Sequence, residues 1–351
     1  MVDSKGRTGM RKFVLFMSLI ILASCASEKT PLDSPLTSSE IQKLQKAKQV
    51  EDIFDTESEI QLAKSEECAI ALITDMEIDA KGNYIVADGW QRRKVLIFGP
   101  DGKFLKELGK QGQGPGEYLT PVSIDINSKQ EILVADHLAN TIHFYDEDYN
   151  FIRSIVCKPY VYHFIHVNSR DQIFMYSGPI FLFRKGSYNT IHEYDDQGKT
   201  IHSFAPLPEE VLDVRFSTPL DGMTIDKNDF IYEMNPLLSS IRKFTPEGDL
   251  VKSFTRKTHP LEIFTKIFTK KKKASIIVYG PYYLDKGLIL AQVSEHLEIY
   301  DTEGNFMAEK LSFSAEIIGT HKDCLLIQGW EESKKPEERP NPKIIWLKLK
   351  I

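Results

Sequence analysis

The chain has 351 residues but only four cysteines and three tryptophans, and it shows no excess of basic charge. Each shortage excludes something. Cys25, Cys68, Cys157 and Cys324 are few and widely scattered. They form no disulfide framework, and Cys324, inside the run Cys324-Leu325-Leu326-Ile327, reads as an inert core residue. A formal net charge of −6 gives no electrostatic footprint for nucleic acid. The apolar run from Phe13 to Ala23 falls well short of the roughly 20 residues that a membrane-spanning helix needs. The nine histidines carry no metal signature: His163 and His166 stand three apart on an expected strand, so their side chains point to opposite faces. No Ser-His-Asp arrangement can be placed by spacing. The reading therefore assigns no catalytic residue, no metal and no cofactor. What is present is 42% apolar, 11% aromatic and 27% charged, a globular mixture that rules out disorder for most of the chain.

Arg11 and Lys12 precede the Phe13–Ala23 run, which ends in small residues, the layout of a secretory signal peptide. Met10 opens this segment in a more usual way than Met1. The next residues, Leu22-Ala23-Ser24-Cys25, resemble the bacterial lipobox, which implies that Cys25 is lipidated and becomes the first mature residue. Residues 1–24 hold four bases (Lys5, Arg7, Arg11, Lys12) and one acid (Asp3), so their removal takes the net charge from −6 to −9. The expected organisation is a signal peptide over 1–24, a lipid-anchored tether over 25–57 and a folded domain over 58–351. Residues 26–37 are rich in Ser, Thr and Pro and suit a flexible tether. Ile41, Leu44, Ile53 and Phe54 fall loosely at helical spacing, predicting a short helix within 39–54.

From about residue 58 short alternating strands are broken by Gly, Asp and Asn, and the pattern repeats. An aromatic residue precedes a hairpin turn in Phe98-Gly-Pro-Asp-Gly102, Tyr145-Asp-Glu-Asp-Tyr149, Tyr194-Asp-Asp-Gln-Gly198, Phe244-Thr-Pro-Glu-Gly248 and Tyr300-Asp-Thr-Glu-Gly304, at spacings of 47, 49, 50 and 56 residues. An apolar strand lies upstream of each turn, and a sixth copy stands at Cys324-Leu325-Leu326. A unit of 40 to 50 residues with four strands is a propeller blade, which buries both faces only when neighbours stack on it. The last copy supplies three strands, while Glu59-Ile60-Gln61-Leu62 stands unassigned before the first. The expected fold is all-β: a six-bladed β-propeller whose N-terminal strand closes the last blade and hides both edges.

The stretch Cys68 to Tyr118, with Ile78-Asp79, Ile85-Val86-Ala87-Asp88, Phe98 to Phe104 and Gly112-Gln-Gly-Pro-Gly-Glu-Tyr118, resembles the six-bladed β-propeller lipoproteins related to NHL-repeat domains. The resemblance is strong over the first two blades and fades afterwards. It implies fold and export and brings no catalytic residues.

Loops on one face of a propeller usually bind. Here that face is expected to carry Trp90, Arg92, Arg93, Glu117, Tyr118, His137, Arg215 and Trp330. The Gly112–Tyr118 loop lacks the Lys-Ser/Thr or following helix of a phosphate cradle and reads as a crossover. Asp88 and Asp136 end the second strands of two blades, where such side chains cap tight loops. The run Lys270 to Lys273 reads as the solvated end of a loop helix. Two functions follow. The leading one is a non-enzymatic binding or scaffolding module of the cell envelope, lipid-anchored to a membrane, the outer membrane in a two-membrane envelope, with the periplasmic side and the surface both open. Its partner would be a protein, peptide or glycan. The alternative is a Ca²⁺-dependent hydrolase or lyase, lactonase- or esterase-like, with a metal in the central channel, which needs six to eight converging oxygens.

Overall fold

The computed structural model describes residues 36–158, 164–177, 188–207, 222–234, 240–255, 278–293, 295–331 and 339–351. After helix α1 (Ser38–Lys46) and strand β1 (Phe54–Gln61), the chain forms six four-stranded antiparallel sheets. Blade one is β2 (Asp75–Ile78), β3 (Tyr84–Asp88), β4 (Lys94–Phe98) and β5 (Phe104–Glu107). A short parallel pair, β6 (Lys110–Gln111) and β7 (Glu117–Tyr118), leads to blade two. Blade two is β8 (Pro121–Ile126), β9 (Ile132–Asp136), β10 (Thr141–Tyr145) and β11 (Phe151–Val156). Blade three is β12 (Phe164–Val167), β13 (Ile173–Tyr176), β14 (Asn189–Tyr194) and β15 (Thr200–Pro206). Blade four is β16 (Met223–Ile225), β17 (Ile231–Glu233), β18 (Ser240–Phe244) and β19 (Leu250–Thr255), and blade five is β20 (Val278–Leu284), β21 (Leu288–Val293), β22 (His296–Asp301) and β23 (Phe306–Ser312). Blade six takes β24 (Glu316–His321), β25 (Cys324–Gly329) and β26 (Lys343–Leu349) from the C-terminus and β1 from the N-terminus.

The first strands form a closed ring: β2 packs on β8, β8 on β12, β12 on β16, β16 on β20, β20 on β24 and β24 back on β2. Six apolar clusters fill the six joints between neighbouring blades. Strand alternation builds them. Tyr84 and Val86 enter the joint with blade six while Ile85 and Ala87 enter the joint with blade two, because successive side chains leave a strand on opposite faces. With both faces covered, the middle strands read as continuous apolar runs, and β3 and β9 are buried at every position.

The closing strand pairs with β26 from Phe54↔Leu349 to Gln61↔Lys343. It begins four residues before the expected boundary at 58, because Phe54 is needed in the apolar joint between blades five and six. For the same reason the helix stops at Lys46. Thr37 caps it through a reciprocal pair with Glu40, and Leu44 enters that joint beside Val50 and Ile53. Ile53 and Phe54, read from sequence as part of a helix, sit in the turn and strand that follow.

Candidate functional site

Tight turns recur at fixed places and set the loops. On the turn joining first to second strands, one oxygen of Asp79, Asn127, Asn168 or Asp226 accepts the N–H groups two and four residues on. On the opposite face, Asp88 Oδ2 accepts the N–H groups of Ala71 (2.6 Å) and Leu72 (3.2 Å), and its Oδ1 accepts that of Arg92 (3.0 Å). Asp136 repeats this pattern with Leu119 (2.6 Å) and Thr120 (2.9 Å) before it and Leu138 and Ala139 after it. Both carboxylates are thus spent on holding the crossovers between blades. Burial works against the charge of Asp136, but the His143 ring and these N–H donors outweigh it and hold the carboxyl below its ordinary value.

The eight loop residues expected to bind divide into groups. Tyr118 is a correction: it is fully buried in the joint between blades one and two, where its hydroxyl accepts the Val95 N–H at 3.1 Å. An aromatic ring beside glycines can read as exposed, but here the short β6–β7 pair turns it inward. Glu117 folds back on its own loop, accepting the Gly114 N–H at 2.9 Å and pairing with Lys110 at 3.0 Å. Those contacts lower its carboxyl pKa and make it a brace of the crossover. Trp90 and His137 meet edge to face, with ring centroids 5.1 Å apart, and Trp90 stands at the channel. Arg93 is exposed with φ of 55°, a turn position. Arg215 and Cys25 lie outside the described residues, as do His163 and the Lys270–Lys273 run.

Arg92 and Trp330, 238 positions apart, line one pocket of about 770 Å³ with Lys64, Ser65, Glu66, Ala69, Ile70, Ala71 and Arg339. Trp330 packs on the apolar joint between blades six and one, and the Arg339 guanidinium lies over its ring at 5.6 Å. The buried Asn341 builds the wall: its Nδ2 donates to the carbonyls of Ala63 and Cys68, both at 2.7 Å, and its Oδ1 accepts the Ile70 N–H at 2.8 Å. Lys64 Nζ donates to the Arg339 carbonyl. Sequence reasoning missed Lys64, Arg339 and Asn341, which stand near no repeat landmark and come together only when β1 closes the ring.

The channel holds a second cavity, of about 380 Å³, walled by blades one, three, four, five and six. Asp75, Glu77, Asp125 and His166 come from its first strands. Burial, reinforced by the charges of Asp125 and Asp75, pushes the Glu77 carboxyl well up. Burial also lifts Asp125 to about 6, against the opposing effect of His166. Asp75 Oδ2 accepts from Ser123 Oγ (2.6 Å) and the Ile124 N–H (2.8 Å), and Asp125 Oδ2 accepts the Val167 N–H (2.6 Å). These oxygens tie neighbouring first strands together. Among the described residues no three His, Cys, Asp or Glu side chains converge as a metal-binding group. The three described cysteines are free and buried. Burial raises the thiol pKa of Cys157 to about 12 and that of Cys324 to about 11, so both are poor nucleophiles.

Six antiparallel blades closed by an N-terminal strand define a β-propeller of the mixed-terminus type. The chain belongs to the family described as the domain of unknown function DUF4934, whose match covers residues 35–251. Over 89 residues it is 32% identical to peptidyl-glycine alpha-amidating monooxygenase A of Xenopus laevis, a match that covers 23% of this chain and 10% of that protein. The chain thus spans about a tenth of the length of the curated relative it matches. Among solved structures it is similar to an exported protein of Bacteroides fragilis (14% identity, 85% of this chain and 96% of the other, TM-score 0.62). It is also similar to a member of the DUF4221 family from Bacteroides vulgatus (10% identity, 85% and 97%, TM-score 0.59). A third similar structure is a catalytically inactive virginiamycin B lyase of Staphylococcus aureus with quinupristin (13% identity, 78% and 80%, TM-score 0.52). At these identities the structural likeness is one of fold.

Proposed function

We propose that this chain is a non-enzymatic binding propeller of the cell envelope, held to a membrane by lipid on Cys25 and receiving its partner at the pocket shared by Arg92 and Trp330. The observation that carries the reading is the state of Arg92. Its backbone N–H is fixed by the buried Asp88, while its side chain is exposed on the rim of a preformed pocket. A guanidinium carried by a fixed turn and sharing a pocket with an indole is a recurring anchor in recognition, since it offers forked hydrogen bonds and planar stacking. Export is supported by the signal-peptide layout of Arg11 to Ala23 and the lipobox-like Leu22–Cys25.

The test is capture of a partner from solubilised envelope by the full-length protein. Arg92→Glu should reduce capture at least tenfold while the melting temperature stays within a few degrees, because surface changes usually cost under about 0.5 kcal/mol. Normal capture by Arg92→Glu would remove this face from the reading. Stoichiometric Ca²⁺ in the purified protein together with lactone or ester hydrolysis would replace the reading with the enzymatic alternative.

A further inference from the structure

The Arg92–Trp330 pocket reverses the charge balance of the chain. The sequence holds 50 acids against 44 bases, yet among the described residues the pocket is lined by three cations, Lys64, Arg92 and Arg339, and one acid, Glu66. Its two guanidinium groups are not used up by carboxylates: among the described residues neither Arg92 nor Arg339 makes an ion pair, and Arg339 Nε is shielded from solvent with no hydrogen-bond partner. A shielded N–H donor without an acceptor is destabilising, because it has given up water and gained no partner. Such a donor is matched when a ligand brings an acceptor to it. The wall is built rather than accidental, since Asn341 and Asp88, both nearly inaccessible to solvent, pin its two sides.

We propose that this pocket binds an acidic saccharide of the hexuronate type, with the carboxylate held by Arg92 and Arg339 and the sugar ring lying along Trp330. The proposal rests on the binding reading above and names the class of its ligand. A planar carboxylate fits the fork of a guanidinium through two parallel hydrogen bonds. Ser65 and Glu66 offer hydrogen-bonding partners for ring hydroxyls, and a pocket of about 770 Å³ is within the roughly 300–1,000 Å³ range of sites that enclose ligands of a few rings. Beyond Trp330 the apolar lining is Ala69, Ala71 and the nearly buried Ile70. That lining suits the C–H face of a sugar better than the bulky side chain that would come with a peptide carboxy terminus.

Calorimetric titration of the full-length protein in detergent tests this with three probes: digalacturonic acid, the neutral disaccharide of galactose, and a tripeptide with a free carboxy terminus. The uronate should bind at least tenfold tighter than the neutral sugar and the peptide. Its affinity should fall at least tenfold in Arg92→Ala and in Arg339→Gln, recover in part in Arg92→Lys, and weaken as salt is raised. Equal binding of the neutral sugar, tighter binding of the peptide, or no binding of the uronate would overturn the proposal. If the uronate fails while Arg92→Glu still abolishes partner capture, the ligand class alone is wrong. If capture is also indifferent to Arg92, the binding reading fails with it.

Discussion

Asp125 shows how one carboxyl can serve the architecture and still weaken it. Its Oδ2 accepts the Val167 N–H across the joint between blades two and three, while burial raises its pKa to about 6 and Asp75 adds to the rise, with His166 opposing. Glu77 lines the channel, and burial together with the charges of Asp125 and Asp75 pushes its carboxyl up as well. A folded-state pKa above the unfolded one means that the folded chain holds its proton more tightly, so this contribution is complete below about pH 4 and is lost as pH rises through about 6. Asp125→Asn keeps an oxygen for Val167 and removes the half-buried charge. It should melt a few degrees higher than the wild type near pH 7.5 and at the same temperature near pH 4, as followed by calorimetry at the two pH values. A gain that does not depend on pH would show that ionisation of Asp125 is not what costs stability. Tyr118 teaches the complementary lesson: residue type and a glycine-rich setting suggested an exposed ligand contact, whereas the ring is core.

At the level of strands and turns, the residue four places after the landmark aromatic has a structural cause. Gly102, Gly198, Gly248 and Gly304 all have positive φ, and Tyr149 takes the same conformation in blade two. The glycines also press on the outer strand of the preceding blade. A Cβ on Gly102 would stand 2.2 Å from the Gln61 carbonyl oxygen of the closing strand, and one on Gly198 would stand 2.3 Å from that of Val156. Gly82 has the same sign of φ, but its nearest neighbour would be a Pro100 carbon at 3.5 Å. Gly82→Ala should therefore cost about 1–2 kcal/mol, the backbone strain alone. Gly102→Ala should cost clearly more, because β1 has to shift. Denaturant melts of the two variants compare them directly, and equal losses would mean that the closing strand yields easily at that contact.

For the whole molecule, the ring is closed from the N-terminal end of the chain, the end that also carries the proposed lipid site at Cys25. The N-terminal strand supplies the outer edge of blade six, and the residues before it lead back toward Cys25. We expect Cys25→Ala to release the protein from membranes into the soluble fraction, since each buried CH₂ of an acyl chain contributes about 0.8 kcal/mol to anchoring. Membrane fractionation in high salt checks this, and a variant that stays on the membrane would show that another surface holds it. Leu105, Ile152, Val156, Ile201 and Leu250 are exposed on the outer strands, which makes the assay informative.

The repeat was legible because its causes are local. Middle strands buried on both faces demand apolar runs such as Ile132-Leu133-Val134, and left-handed turn positions favour glycine, so blade number and ring closure could be read from one sequence. The caps at Asp88 and Asp136 were legible for the same reason in the turns that follow them, at Arg92 and at Leu138 and Ala139, whereas their bonds to the crossovers 16 and 17 positions upstream were not. The candidate pocket was legible only in part. Arg92 and Trp330 stood out singly, but Lys64, Arg339 and Asn341 become their neighbours only because β1 and β26 pair across nearly the whole length of the chain. No local pattern records such a meeting. Strand period and turn chemistry act between residues a few positions apart and determine the blade. The side chains that share a pocket are decided by the closing of the ring, which sets the two ends of the chain side by side.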